Sequence, residues 1–289
     1  MSFVKPAKVV DIMVETGAAK ANLSPFQMVI RSVLGGAILA FATTLAFTAV
    51  HQTSIGLAGA LLFPAGFAMI VLLGLELVTG SFALIPLAVI RRQTTFGRML
   101  AGFGWAIAGH LIGCGLYAAL YLLTITNFGH NLEAPLAKTL IALSEAKTLG
   151  YKELGTDGML LVIVKAILCN WMVTLGVVMS FTSKSTAGKI AAMWLPILTF
   201  FAQGFEHAVV NMFVIPAGMM LGADVTFADW WEWNQLPVLI GNFIGGALFT
   251  GILLYMSHKK LLPAREEIAA AGVTVKEPVI PAVNGGKSL

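Results

Sequence analysis

Five ionisable side chains lie deep inside apolar sequence: Glu76, His110, Lys165, Glu206 and His207. A charge in an apolar run of membrane length is expensive and is commonly there for function. Two of the five are copies. Gly74-Leu75-Glu76 opens a stretch that closes at Ile85-Pro86. Gly204-Phe205-Glu206 opens another that closes at Ile215-Pro216 with the same internal spacing. Such a pair, in corresponding places of two halves, points to a transport path built from a duplicated unit.

The chemistry open to these residues is narrow. No pair has metal-ligand spacing on a helix, and adjacent Glu206 and His207 project about 100° apart, a poor chelate. No nucleophile motif occurs, so neither an enzyme nor a metal or other cofactor is expected. Glu76 and Glu206 each sit where a long apolar run breaks. There a carboxylate can accept hydrogen bonds from backbone N–H groups freed by the break. We read both as braces, because the repeat duplicates them. His207 is different: its counterpart is Leu77, so repeat geometry does not require it. Histidine titrates near neutral pH and could donate a hydrogen bond or a proton to a passing anion. Lys165 either snorkels outward or lines an outer vestibule and attracts anions. Asn170 either bonds the broken fifth helix or faces the path. Thr79, Ser81 and Asn211 add neutral hydrogen-bonding groups that tolerate an anion without trapping it. By pattern alone Phe63 and Phe200 read as packing. Cys114 and Cys169 read as inert buried thiols.

The elements that must position these residues follow from composition. Of 289 residues, 58% are hydrophobic and 11% charged, against roughly a quarter charged in soluble domains. The chain reads as an integral membrane protein in a lipid bilayer. Apolar runs able to cross it at ~20 residues each fall at 27–50, 57–90, 99–127, 159–182, 190–221 and 235–257. The second and fifth exceed one helix, and both break at Gly-x-Glu. Arg91, Arg92 and Arg98 lie between runs two and three, Lys184 and Lys189 between four and five, and Lys5, Lys8 and Lys20 precede run one. The connections 51–56 and 222–234 carry no Lys or Arg. The pattern places both termini in the cytoplasm. It also accounts for the pI near 9.1 without a nucleic-acid partner. Trp230, Trp231 and Trp233 read as an outer interfacial belt.

Three spans per half make an inverted 3+3 repeat. Gly109-His110-Leu111-Ile112-Gly113 and Gly241-Asn242-Phe243-Ile244-Gly245 match as a second copied pair. Their glycines let helices approach closely, and His110 is read as structural. The expected organisation is a cytoplasmic amphipathic segment at 1–26, lying on the inner membrane face, a six-helix channel domain at 27–257, and a cytoplasmic disordered tail at 258–289. A short outer helix is expected within 128–158.

With these residues in view, the chain resembles the formate/nitrite transporter family. Gly204-Phe205-Glu206-His207-Ala208-Val209-Val210-Asn211-Met212-Phe213 is similar to its Gly-Phe-Glu-His-x-x-x-Asn-Met-Phe signature. Lys165-Ala166-Ile167-Leu168-Cys169-Asn170-Trp171 is similar to its Lys-x-x-x-Cys-Asn-Trp stretch. Gly74-Leu75-Glu76-Leu77-Val78-Thr79-Gly80 resembles its Gly-x-Glu-Leu-x-Thr-Gly loop, and Ile240-Gly241-Asn242 with Gly245-Gly246 its last-helix motif. The resemblance implies an all-α, aquaporin-like protomer, a homopentamer in the bacterial inner membrane, and passage of small monovalent anions such as formate, nitrite or hydrosulfide, with protons coupled or gating. It implies that His207 is the central histidine, hydrogen-bonded to Thr79 in the loop breaking helix 2. Lys165 and Asn170 become the polar pair of helix 4, Phe63 and Phe200 the outer constriction, Leu77 the inner one, and Val78 a further constriction residue. Val78 stands where formate channels commonly carry Phe, which implies a wider constriction. His110 replaces the usual Asn. A neutral-solute channel of the aquaglyceroporin type is the competing class, and the Asn-Pro-Ala pairs it uses are absent.

Overall fold

Apolar sequence without internal breakers folds as helix wherever a cap starts it and a turn stops it. The computed structural model describes residues 3–259. Ser24 opens the first long helix with a capping box to Gln27, and Pro25 pre-sets its first turn. Thr95 and Ser185 cap later helices through their side chains. The order is α1 (Pro6–Ala21), α2 (Pro25–Thr53), α3 (Gly56–Leu62), α4 (Pro64–Leu72), α5 (Val78–Ile90), α6 (Phe96–Ile125), α7 (Pro135–Ala146), α8 (Leu149–Glu153), α9 (Gly155–Ser180), α10 (Thr186–Ala202), α11 (Ala208–Met220) and α12 (Phe227–Met256). Two stretches of α12 widen to π-helical turns, Trp231–Gln235 and Gly245–Leu253. Four helices, α2, α6, α9 and α12, are long and apolar enough to cross a membrane. Four shorter apolar stretches come in consecutive pairs, Gly56–Leu72 (α3 and α4) with α5, and α10 with α11.

The two interruptions are built alike. Gly74 and Gly204 take left-handed backbone (φ +63° and +64°), which glycine adopts at no steric penalty. Leu75 N–H then closes onto the Ile70 carbonyl at 3.0 Å, and Phe205 N–H onto Phe200 at 3.3 Å. Each is a Schellman end, followed by extended backbone and a new helix.

The long helices pair through glycine. A Cβ on Gly113 of α6 would stand 2.0 Å from the Val33 carbonyl of α2, and one on Gly245 of α12 2.2 Å from the Ile167 carbonyl of α9. The packing role expected of these glycines is therefore geometric fact in both halves.

The terminal helix differs from its sequence reading. Val9, Val10, Met13 and Val14 are buried against Leu84, Leu87, Val178 and Tyr255. The apolar stripe of α1 is covered by protein, which outcompetes the membrane face for the same surface. Two helices, not one, occupy the connection 128–158, and α7 docks on α11 as α1 docks on α5. Ser144 of α7 donates to the Ile215 carbonyl at 3.1 Å. Trp230 is not part of an exposed belt: it packs with Ile215 and Val225, and its Nε1 donates to Gln235 at 3.1 Å. Residues 260–289, with Lys260, Arg265, Lys276 and Lys287 and most of the expected tail, lie outside the described residues. Large apolar side chains remain exposed along α2, α6, α9 and α12, among them Phe41, Leu120, Leu160 and Leu253.

Candidate functional site

The starts of the two re-formed helices meet in the protein interior. His207 immediately precedes α11 in extended backbone (φ −114°, ψ 119°). Its Nδ1 accepts the N–H of Val210 at 3.2 Å, so the ring caps its own helix. With Nδ1 as acceptor, the proton of the neutral imidazole belongs on Nε2. Nε2 lies 3.1 Å from Oγ1 of Thr79, in the first turn of α5. The ring then donates to the threonine oxygen, and the threonine O–H is left to donate elsewhere. Among the described residues Thr79 Oγ1 has no second partner.

Asn170 of α9 fixes the other side of this contact. Its Nδ2 donates to the Thr79 carbonyl at 3.0 Å and to the Asn242 carbonyl at 2.6 Å. Its Oδ1 is buried without a partner. Lys165 is not brought to Asn170. It turns to Tyr151, with Nζ 3.4 Å from the hydroxyl and 5.6 Å from the ring centroid.

Aromatic rings wall the histidine. Phe200 stacks on it at 5.6 Å and 25°, and Phe63 meets Phe200 edge-on at 5.6 Å and 89°. Both phenylalanines are buried. On the opposite side of the break, Leu77 lines a cavity of about 290 Å³ together with Lys20, Arg31 and Glu76. Val78 is buried beside Leu77 but does not line that cavity.

The freed backbone N–H groups are not taken by the glutamates, as the sequence suggested. Val78 N–H goes to His110 Nε2 at 3.1 Å, and Ala208 N–H to Asn242 Oδ1 at 2.9 Å. His110 Nδ1 lies 2.8 Å from the Ser32 carbonyl, and Asn242 donates to the Ala166 and Glu206 carbonyls at 2.8 and 2.9 Å. Histidine and asparagine thus do one job in the two halves, because each offers an acceptor and a donor at similar reach.

The carboxylates hold side chains instead. Glu76 pairs with Lys20 at 2.7 Å and accepts from Ser81. Glu206 pairs with Lys147 at 2.8 Å and accepts from Tyr151 at 2.8 Å and Asn211 at 2.7 Å. Asn211 also donates to Asn234 at 2.8 Å. Burial first, then the Glu206 charge, pushes the Tyr151 hydroxyl up from its ordinary value, which keeps it protonated as a donor. A buried carboxylate left without such partners would be prohibitive. The sequence reading missed Lys20, Lys147 and Tyr151. The signal was present, since Lys20 precedes Glu76 by about the interval at which Lys147 precedes Glu206.

Among the described residues no cluster of metal-ligating side chains occurs. The arrangement instead offers an uncharged hydrogen-bond donor between apolar walls, flanked by cations.

Known proteins resemble the chain over most of its length. The chain is 32% identical over 278 residues to an uncharacterized transporter, YrhG, of Bacillus subtilis (strain 168), covering 93% of this chain and 98% of the relative. It is 29% identical over 266 residues to the formate channel BtFdhC of Bacillus thuringiensis, covering 90% and 98%. A solved structure described as an FNT family ion channel superposes with a TM-score of 0.75 at 26% identity, covering 86% of this chain and 98% of that one. These relatives are transport proteins, not enzymes. The profile described as "Formate/nitrite transporter" matches residues 7–256, and the chain belongs to that family.

Proposed function

We propose that the protein passes small monovalent anions, formate foremost, through a path inside each protomer of a homopentamer. The carrying observation is the Thr79–His207 contact between two helix starts from opposite halves. In this reading α4–α5 and α10–α11 each complete one crossing, so six crossings form an inverted 3+3 repeat within 27–257. The positive side, with Arg91, Arg92, Lys184 and Lys189, faces the cytoplasm of a bacterial cell.

The chemistry follows from desolvation. An anion stripped of water between Phe63 and Phe200 on one side and Leu77 on the other pays a large transfer cost. Thr79 lowers it by donating its O–H to the anion while Oγ1 accepts from His207 Nε2. Donor chains of this kind polarise and strengthen one another. Asn170 aims the pair by holding the Thr79 carbonyl. The donor is neutral, so the anion is stabilised without being trapped. A proton supplied by the external water and taken up by an oxygen of the anion at this point lets it leave as the neutral acid, with the Thr79–His207 chain unchanged after each passage. Proton-coupled transport is the consequence, and nitrite, with similar size and two oxygens, shares the route.

Uptake of labelled formate by proteoliposomes holding purified protein tests the reading. Saturable uptake that rises as external pH falls supports it. Uptake no faster than in protein-free liposomes would overturn it.

A further inference from the structure

A second cavity lies away from the transport path, at the end of α6 that carries Arg98. It is a groove of about 240 Å³ between the α1–α2 corner and one face of α6. Arg98, Ala101, Gly102 and Trp105 supply that face, at the i, i+3, i+4, i+7 spacing that lines side chains up along a helix. Asn22 lines it from the corner and Met28 from α2.

The groove is polar at one end and apolar along its length. At the polar end, Arg98 Nη1 donates to Asn22 Oδ1 at 2.5 Å. Among the described residues no carboxylate lies within ion-pair distance of Arg98. Between Glu76 and Glu133 the sequence holds no acidic residue. Trp105 lies two turns further into the apolar run, about 10 Å along the helix. It is 46% exposed, so the groove opens on the outer surface of the α2–α6 pair. Between Arg98 and Trp105, the side chains of Met28 and Ala101 and the bare Gly102 backbone give an apolar slot. A Cβ on Gly102 would meet only Met28 Cε, at 3.6 Å. A basic group at the membrane surface, with a tryptophan just below it, matches the order of phosphate and acyl chain in a phospholipid.

We propose that this groove binds one anionic phospholipid, with its phosphate on Arg98 and the start of an acyl chain along Gly102 and Trp105. The guanidinium fork takes two phosphate oxygens through parallel N–H bonds. A zwitterionic headgroup fits less well, because its ammonium would meet Arg98 with no carboxylate to receive it. Free phosphate would leave the apolar slot unfilled. Leu23 of the α1–α2 corner lines both this groove and the inner cavity. The lipid therefore braces the corner that also carries Lys20 to Glu76. The proposal requires only that the chain lies in a membrane, and it stands whatever solute the chain passes.

The test uses delipidated wild-type protein in detergent, titrated with phosphatidylglycerol or with phosphatidylcholine of the same chains. Bound lipid is counted by native mass spectrometry, and the unfolding temperature is read alongside. Phosphatidylglycerol is expected to bind and to raise the unfolding temperature, by mass action on the folded state, and phosphatidylcholine to do neither. Arg98→Gln should weaken phosphatidylglycerol binding roughly tenfold, the worth of a hydrogen bond to a charged group. Ala101→Leu fills the slot while keeping the Arg98–Asn22 bond, and should weaken it comparably. Arg92→Gln, outside the groove, should bind as wild type does. Equal binding of the two lipids by wild type overturns the proposal, as does an equal loss in Arg92→Gln, which would mean diffuse attraction to a basic surface. Inorganic phosphate that stabilises as well as the lipid also overturns it. So does an Arg98→Gln protein that loses its oligomer in lipid-free detergent, because a neighbouring copy would then fill the groove.

Discussion

Thr79 and His207 come from opposite halves of the chain, and each is placed by the helix it starts. Thr79→Val keeps the shape and removes the hydroxyl, so formate flux should fall about tenfold to a hundredfold, the worth of one hydrogen bond to a charged group. Thr79→Ser should retain most of it. Comparable flux through the valine and serine proteins would exclude the hydroxyl as donor. The sequence singled out His207 because it breaks the repeat where Leu77 stands. It could not supply the tautomer, which depends on Val210 N–H reaching Nδ1. His110 is the reverse case. It looked like a departure from a pattern, yet it accepts Val78 N–H as Asn242 accepts Ala208 N–H. His110→Asn should therefore fold with near-wild-type thermal stability. His110→Ala strands a buried N–H and should cost about 1–3 kcal/mol, read as a lowered unfolding temperature in detergent.

At the scale of elements, the interruptions were legible because Gly74 and Gly204 sit at equal spacing from their glutamates and prolines. What the glutamates bind was marked in the sequence only by the similar intervals from Lys20 and Lys147, each more than fifty residues away. Glu206→Gln leaves the Lys147 ammonium, Tyr151 and Asn211 around an uncharged amide. Removing one partner of a buried pair costs about 3–5 kcal/mol, so the variant should lose folded yield more than Lys152→Ala, whose ammonium is half exposed. Equal yields of the two would count against Glu206 as the anchor of α7 and α8. The packing glycines were read correctly from spacing alone. Gly113→Val meets the Val33 carbonyl and should abolish correct assembly, whereas Gly104→Val, with nothing near its Cβ, should be tolerated.

For the whole molecule, composition sufficed to announce a membrane protein, and the copied motifs sufficed to announce a repeat. The fate of α1 was not readable, because an amphipathic stripe does not say whether lipid or protein will cover it. Here Leu84, Leu87 and Tyr255 cover it, and α1 becomes the counterpart of α7. In the proposed reading the duplicated unit is a docking helix followed by three crossings. Where Leu77 stands in one half of that scaffold, His207 stands in the other. The most direct measurement is formate flux through reconstituted His207→Ala protein across external pH 5 to 8, beside wild type. The account expects flux to collapse and its pH dependence to vanish while the protein still elutes as wild type does. Full flux with an unchanged pH profile at every pH would contradict it.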